Sequence, residues 1–235
     1  MKLKSFGCSF IYGTDLSDEN KLEIPPRPSQ LSWPALIAKE LNVEYQCYAR
    51  PGAGNLFILE RLLNSIESNS EDAFYVVGWT YIDRFDYISN DVKNDKSLDL
   101  ANPWQEWKSW QTLRPGSDGD KETFYYRNLH SELADKLKNL IYIETAVNAL
   151  KKKNVPFLMT YQDELLLDTR WHASPSVTYL QNQIKPYLHN FEDMTFVSWS
   201  QSRGFDISKT AHPLDAAHHS AAELMFPLIK KILNR

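Results

Sequence analysis

A three-layer α/β domain, with a mostly parallel sheet covered by helices on both faces, is the architecture this sequence predicts. Three observations predict it. Apolar runs rich in β-branched or aromatic residues recur at Leu3–Phe10, Val43–Tyr48, Phe74–Thr80, Val155–Tyr161 and Met194–Trp199, giving five expected strands. Between them lie segments whose apolar residues return at intervals of three and four: Trp33 to Leu41, Leu56 to Ile66, Leu137 to Leu150 and Leu214 to Ile232. Finally, 235 residues at 43% hydrophobic and 24% charged suffice for one sizeable core, so a single domain over 1–235 is expected. Strands alternating with helices pair in parallel, and ligands then sit outside the carboxyl ends of the strands.

That rule turns the residues after each strand into the candidate site. The first strand runs into Gly7-Cys8-Ser9-Phe10-Ile11-Tyr12-Gly13. A glycine beside a serine at a strand end lets the backbone turn sharply and expose the hydroxyl, as a nucleophile requires. A phosphate-binding loop of a flavodoxin-like domain is the rival reading, but neither GxGxxG nor GxxxxGK[ST] is present there. After the second strand comes ARPGAGN, residues 49–55, which is either an oxyanion-binding turn built on Gly54 and Asn55 or a plain β-to-α turn capped by Asn55. After the third come Gly78, Thr80, Asp83 and Arg84. The Thr80 hydroxyl can donate to an oxyanion, while Arg84 can grip a loop or a substrate carboxylate, or pair with Asp83 or Asp86.

The last helix opens as HPLDAAHHSAAEL, residues 212–224. Pro213 suits the first helical position and Asp215 the first turn, which leaves His212 on the loop, facing the sheet edge. His218 falls on the apolar stripe beside Ala217 and Ala221, where a hydrogen-bonded core histidine is the usual occupant; His219 points away from it. The spacing of His212 and His218 across a helix start is not a zinc spacing, so no metal is expected there.

Two stretches interrupt the alternation. Residues 81–130 carry Trp104, Trp107 and Trp110 and read as an insertion over the carboxyl edge of the sheet, either a substrate-binding lid or an excursion packed on the core. Residues 163–176 form a loop with several carboxylates and His172. A net charge of −4 without a basic stripe argues against nucleic acid, and Lys151-Lys152-Lys153 reads as the solvated end of a helix. Two cysteines, Cys8 and Cys47, suggest no disulfide framework; with no apolar leader and no membrane-length span, a cytoplasmic location is expected.

A serine after the first strand, glycine turns after the second and third, and a His-Pro before the closing helix together resemble the SGNH hydrolases, or GDSL family. FGCSFIYG is similar to the family's nucleophile block, PGAGN to its glycine block, VVGWTYIDR to the place of its Gly-x-Asn-Asp, and HPLDAAHHSAAEL to its His-Pro. The resemblance spans the chain and implies an esterase, lipase or carbohydrate acetylesterase of Ser-His or Ser-His-Asp type without metal or organic cofactor, cleaving a small-molecule, lipid or glycan ester, with Ser9 as nucleophile and His212 as base. Three departures stand out: Cys8 replaces the family's aspartate before the serine, Thr80 its oxyanion asparagine, and Lys209 the aspartate three residues before the histidine. Asp206, Asp215 or a backbone carbonyl would then orient His212, or the site is a dyad; Asp215 with His218 is a competing frame. A scaffold that has lost turnover and binds a glycan is the alternative function.

Overall fold

The computed structural model describes residues 1–19, 27–67, 72–89 and 110–234. Strand β1 (Lys2–Phe6) lies at the centre, hydrogen-bonded in parallel to β2 (Glu44–Cys47) on one side and to β3 (Ala73–Trp79) on the other. Every residue of β3 is buried, as a strand covered on both faces must be. Strand β6 (Phe157–Tyr161) adds in parallel to β3, so the sheet order is β2-β1-β3-β6.

The chain leaves β1 toward β2 and then crosses back past β1 to β3. Right-handed crossovers in opposite directions put their helices on opposite faces. Accordingly α2 (Trp33–Glu40) packs against the final helix α8 (Asp215–Leu233), while α3 (Asn55–Glu67) packs against α5 (Glu132–Lys152), which in turn meets α6 (Pro175–Ile184). The reversal at β1 opens a crevice beyond the carboxyl ends of β1 and β3.

The fifth expected strand is a helix. Residues Phe196–Ser202 form α7, with Thr195 as its cap, its Oγ1 accepting from Ser198 N–H at 3.2 Å. A short apolar run has no period long enough to separate strand from helix; here Phe196 and Trp199, three apart, share the buried face and the threonine cap decides. A single parallel bridge, Met159 with Leu188, stands at the free edge of β6 instead.

The described part of the insertion is a two-stranded antiparallel unit, β4 (Phe85–Ile88) with β5 (Trp110–Leu113), followed by α4 (Asp120–Asn128). It docks on the start of α3: Asp86 accepts from Gly54 N–H and Phe57 N–H, both at 3.0 Å, and from Thr112 Oγ1 at 2.6 Å. The Trp110 indole stands edge-on to Phe57 at 5.7 Å. Trp104 and Trp107 lie outside the described residues. Among the described residues no helix is long and apolar enough to cross a membrane.

Candidate active site

Strand β1 ends in a crowded turn. A Cβ on Gly7 would stand 2.5 Å from Ile11 Cγ1 and 3.0 Å from Gly78 O, so only glycine lets the two strand ends approach. Cys8, in extended backbone, precedes a one-turn helix α1 (Ser9–Tyr12), whose first residue is Ser9, only 6% exposed. Gly13 closes that turn in the left-handed region (φ 82°), its N–H donating to Ser9 O at 2.9 Å. Asp15 is left-handed as well (φ 68°), a conformation aspartate tolerates better than most residues. These reversals turn the Asp15 carboxylate toward the C-terminal loop.

There it meets His212. The Nδ1–Oδ2 separation is 2.8 Å, with both side chains mostly buried. Ser208 Oγ donates to the same carboxylate oxygen at 2.8 Å, and Thr210 Oγ1 donates to it too. Ser208 also accepts from His212 N–H at 3.2 Å, so the loop is tied from both sides. With the carboxylate as acceptor, the proton is assigned to Nδ1, which leaves Nε2 with its lone pair. The ring stands edge-on to Phe10 at 5.4 Å, fixed against the neighbour of Ser9.

Asp215 does not orient that ring. It accepts from Ser17 N–H at 3.0 Å and from Ser17 Oγ. Burial pushes this carboxyl up, but the two Ser17 bonds together with nearby His218 and His219 outweigh it and hold it below the usual range. The helix starts at Asp215 rather than at Pro213, which bridges Ile207 instead. Asp206 and Lys209 are exposed. His218 is in the core, 1% exposed, its Nδ1 accepting the Trp33 N–H at 3.0 Å and its ring edge-on to Phe196 at 4.8 Å. Burial pulls its pKa down to about 3, so it is neutral and fixed as a hydrogen-bond acceptor. His172 lies elsewhere, paired with Glu132 at 2.6 Å.

The remaining expected site residues brace the loops. The Gly54 N–H is taken by Asp86, and a Cβ at Gly54 would stand 2.5 Å from Asp86 Oδ2, so this glycine admits the carboxylate. Asn55 does not cap α3; its Oδ1 accepts from Thr80 N–H at 2.8 Å and its Nδ2 donates to Thr80 O at 3.1 Å and Asn139 Oδ1 at 2.6 Å. Arg84 Nη1 donates to Ala53 O at 2.8 Å, and its guanidinium lies over Tyr81 at 5.1 Å. Thr80 Oγ1 is buried and has no hydrogen-bond partner among the described residues. Asp15 is the site carboxylate that sequence reasoning missed, because it lies next to the serine block and far from the histidine in the chain; Asp86, expected as a partner of Arg84, serves the Gly54 turn instead. Among the described residues, no group of three His, Cys, Asp or Glu side chains could hold a metal ion.

No protein-family model matches the chain, and no curated protein matches it by sequence. Solved structures do match. A lipolytic protein of the G-D-S-L family from Veillonella parvula superposes with a TM-score of 0.52 at 11% identity, over 98% of this chain and 99% of that one. The fold is that of the G-D-S-L lipolytic proteins. The psychrotrophic esterase EstA from Pseudoalteromonas, in a structure inhibited by monoethylphosphonate, gives a TM-score of 0.55 at 12% identity over 100% and 99%. A family 2 carbohydrate esterase from Corynascus thermopiles, with a carbohydrate-binding domain, gives 0.51 at 13% over 100% and 67%. Within the G-D-S-L fold, the carboxyl ends of β1 and β3 carry the serine turn and Thr80, and the loop before α8 carries His212.

Proposed function

We propose that this chain is a serine ester hydrolase in which Ser9, His212 and Asp15 form the catalytic triad. The observation that carries the reading is the 2.8 Å pairing of His212 Nδ1 with the carboxylate of Asp15, on the loop that leaves the serine turn. In this reading Ser9 Oγ attacks the ester carbonyl while His212 Nε2 takes its proton, and Asp15 stabilises the imidazolium that forms. The tetrahedral intermediate then expels the alcohol, which receives that proton, leaving an acyl-serine; water, deprotonated by the same nitrogen, hydrolyses it. The Ser9 N–H and the Thr80 hydroxyl serve as oxyanion donors. A buried hydroxyl without a partner has a donor to offer, whereas the Gly54 N–H is already spent on Asp86.

Asp15 answers the departure at Lys209. A carboxylate has to meet the imidazole, but nothing requires it to come from the histidine's own loop. The carbohydrate esterase and EstA likenesses support a small-molecule or glycan ester as substrate. A fluorophosphonate probe tests the assignment. Wild-type protein should be labelled stoichiometrically and Ser9→Ala not at all; equal labelling of the two would remove Ser9 from the mechanism.

A further inference from the structure

An open cavity of about 310 Å³ lies between the loop after β2 and strand β5, walled by Arg50, Gly52, Trp110, Thr112 and Arg114. Among the described residues no carboxylate lines it, in a chain whose net charge is −4. The loop that forms its floor is anchored to the nucleophile turn itself, since Arg50 N–H donates to Gly7 O at 3.0 Å.

Its two arginines are held differently. The Arg50 guanidinium is locked in the wall: Nη1 donates to Trp110 O at 2.9 Å, Nη2 donates to Thr112 Oγ1 at 2.7 Å, and the group lies over the Phe57 ring at 4.1 Å. Burial pulls its pKa down to about 10; Asp86 opposes that fall, while Arg114, Arg61 and Arg84 add to it through like-charge repulsion. Arg114 is exposed, with no side-chain hydrogen bond or ion pair among the described residues. Its guanidinium lies along the Gly52 turn, where φ is 76° and a Cβ would stand 3.2 Å from Nη1. A fixed positive wall with a planar fork at its mouth suits a ligand bearing paired anionic oxygens.

We infer that this cavity binds an anionic group of the substrate, a carboxylate or a phosphate ester, with Arg114 as the contacting residue and Arg50 as the supporting charge. This rests on the serine hydrolase reading above and narrows its substrate class to acidic esters. Calorimetric titration of the Ser9→Ala protein with glucuronate, glucose 6-phosphate and glucose tests it without requiring turnover. At least one anion should bind about tenfold or more tighter than glucose, weaken as salt is added, and lose about tenfold in affinity in Ser9→Ala/Arg114→Gln. Preference for glucuronate or for glucose 6-phosphate would identify the carboxylate or the phosphate as the recognised group. Anions that bind no better than glucose, or whose affinity ignores Arg114→Gln, would overturn the inference. Fluorophosphonate labelling of the wild type separates the two failures: labelling with no anion preference sinks the subsite alone, and absence of Ser9-dependent labelling sinks the hydrolase reading.

Discussion

His212 and His218 are six residues apart at one helix start, and each has an aspartate close by in sequence or space, yet their surroundings differ. His212 shares its Nδ1 proton with Asp15, on a loop reached only by left-handed backbone at Asp15 and Ala211. His218 gives Nδ1 to the Trp33 amide in a fully packed interior. Asp215, near in sequence to both, serves neither ring by hydrogen bond and ties the Ser17 loop down instead. Nearness in sequence to a carboxylate therefore does not decide which ring the carboxylate holds: Asp15, far from His212 in the chain, takes its Nδ1, while a backbone amide takes that of His218.

Substitution sharpens the contrast, and His212→Ala should have the largest effect. Losing the base should lower kcat on an activated ester by about 1,000-fold or more, with a melting temperature close to wild type. A loss under tenfold would remove His212 from the chemistry. His218→Ala should do the reverse, keeping activity per folded molecule but costing about 2–4 kcal/mol in denaturant unfolding, from the orphaned Trp33 amide and the cavity left behind. Equal stability would show that the core tolerates the gap and that the ring has another purpose.

The same histidine predicts a pH dependence. Its folded pKa, about 3, lies below the ordinary unfolded value of about 6.5, so the unfolded chain binds the proton more readily. Its stabilising contribution is complete above pH ~6.5 and falls by up to about 1.4 kcal/mol per pH unit as pH drops toward 3. His218→Ala should flatten that part of the profile; an unchanged slope would assign the acid sensitivity to other groups. The smallest effect is expected at Asp215→Ala, about 1 kcal/mol of stability through the lost Ser17 bonds, with less than tenfold change in kcat.

Much of this was legible in sequence, for identifiable reasons. β1, β2, β3 and β6 are short runs that carry aromatic residues, joined in β3 and β6 by β-branched ones, and the long helices have apolar residues at three- and four-residue spacing. The Met194–Trp199 run was not legible as a helix, because six residues hold no decisive period and a threonine hydroxyl set the outcome. Ser9 and His212 could be singled out because strand ends and a His-Pro are local features. Asp15 could not, because its carboxylate reaches His212 only through two left-handed turns whose closure is a tertiary event. The Gly54 turn was legible as one whose N–H can meet an anion, but not that the anion is the chain's own Asp86.

The central claim is that Asp15 orients His212 for proton transfer from Ser9. Rates of fluorophosphonate labelling, compared side by side for wild type, Asp15→Asn and Asp215→Asn, test it most directly. The prediction is a fall of about 1,000-fold in Asp15→Asn, where the amide favours the wrong tautomer, and near-wild-type labelling in Asp215→Asn. Rapid labelling of Asp15→Asn together with slow labelling of Asp215→Asn would contradict it.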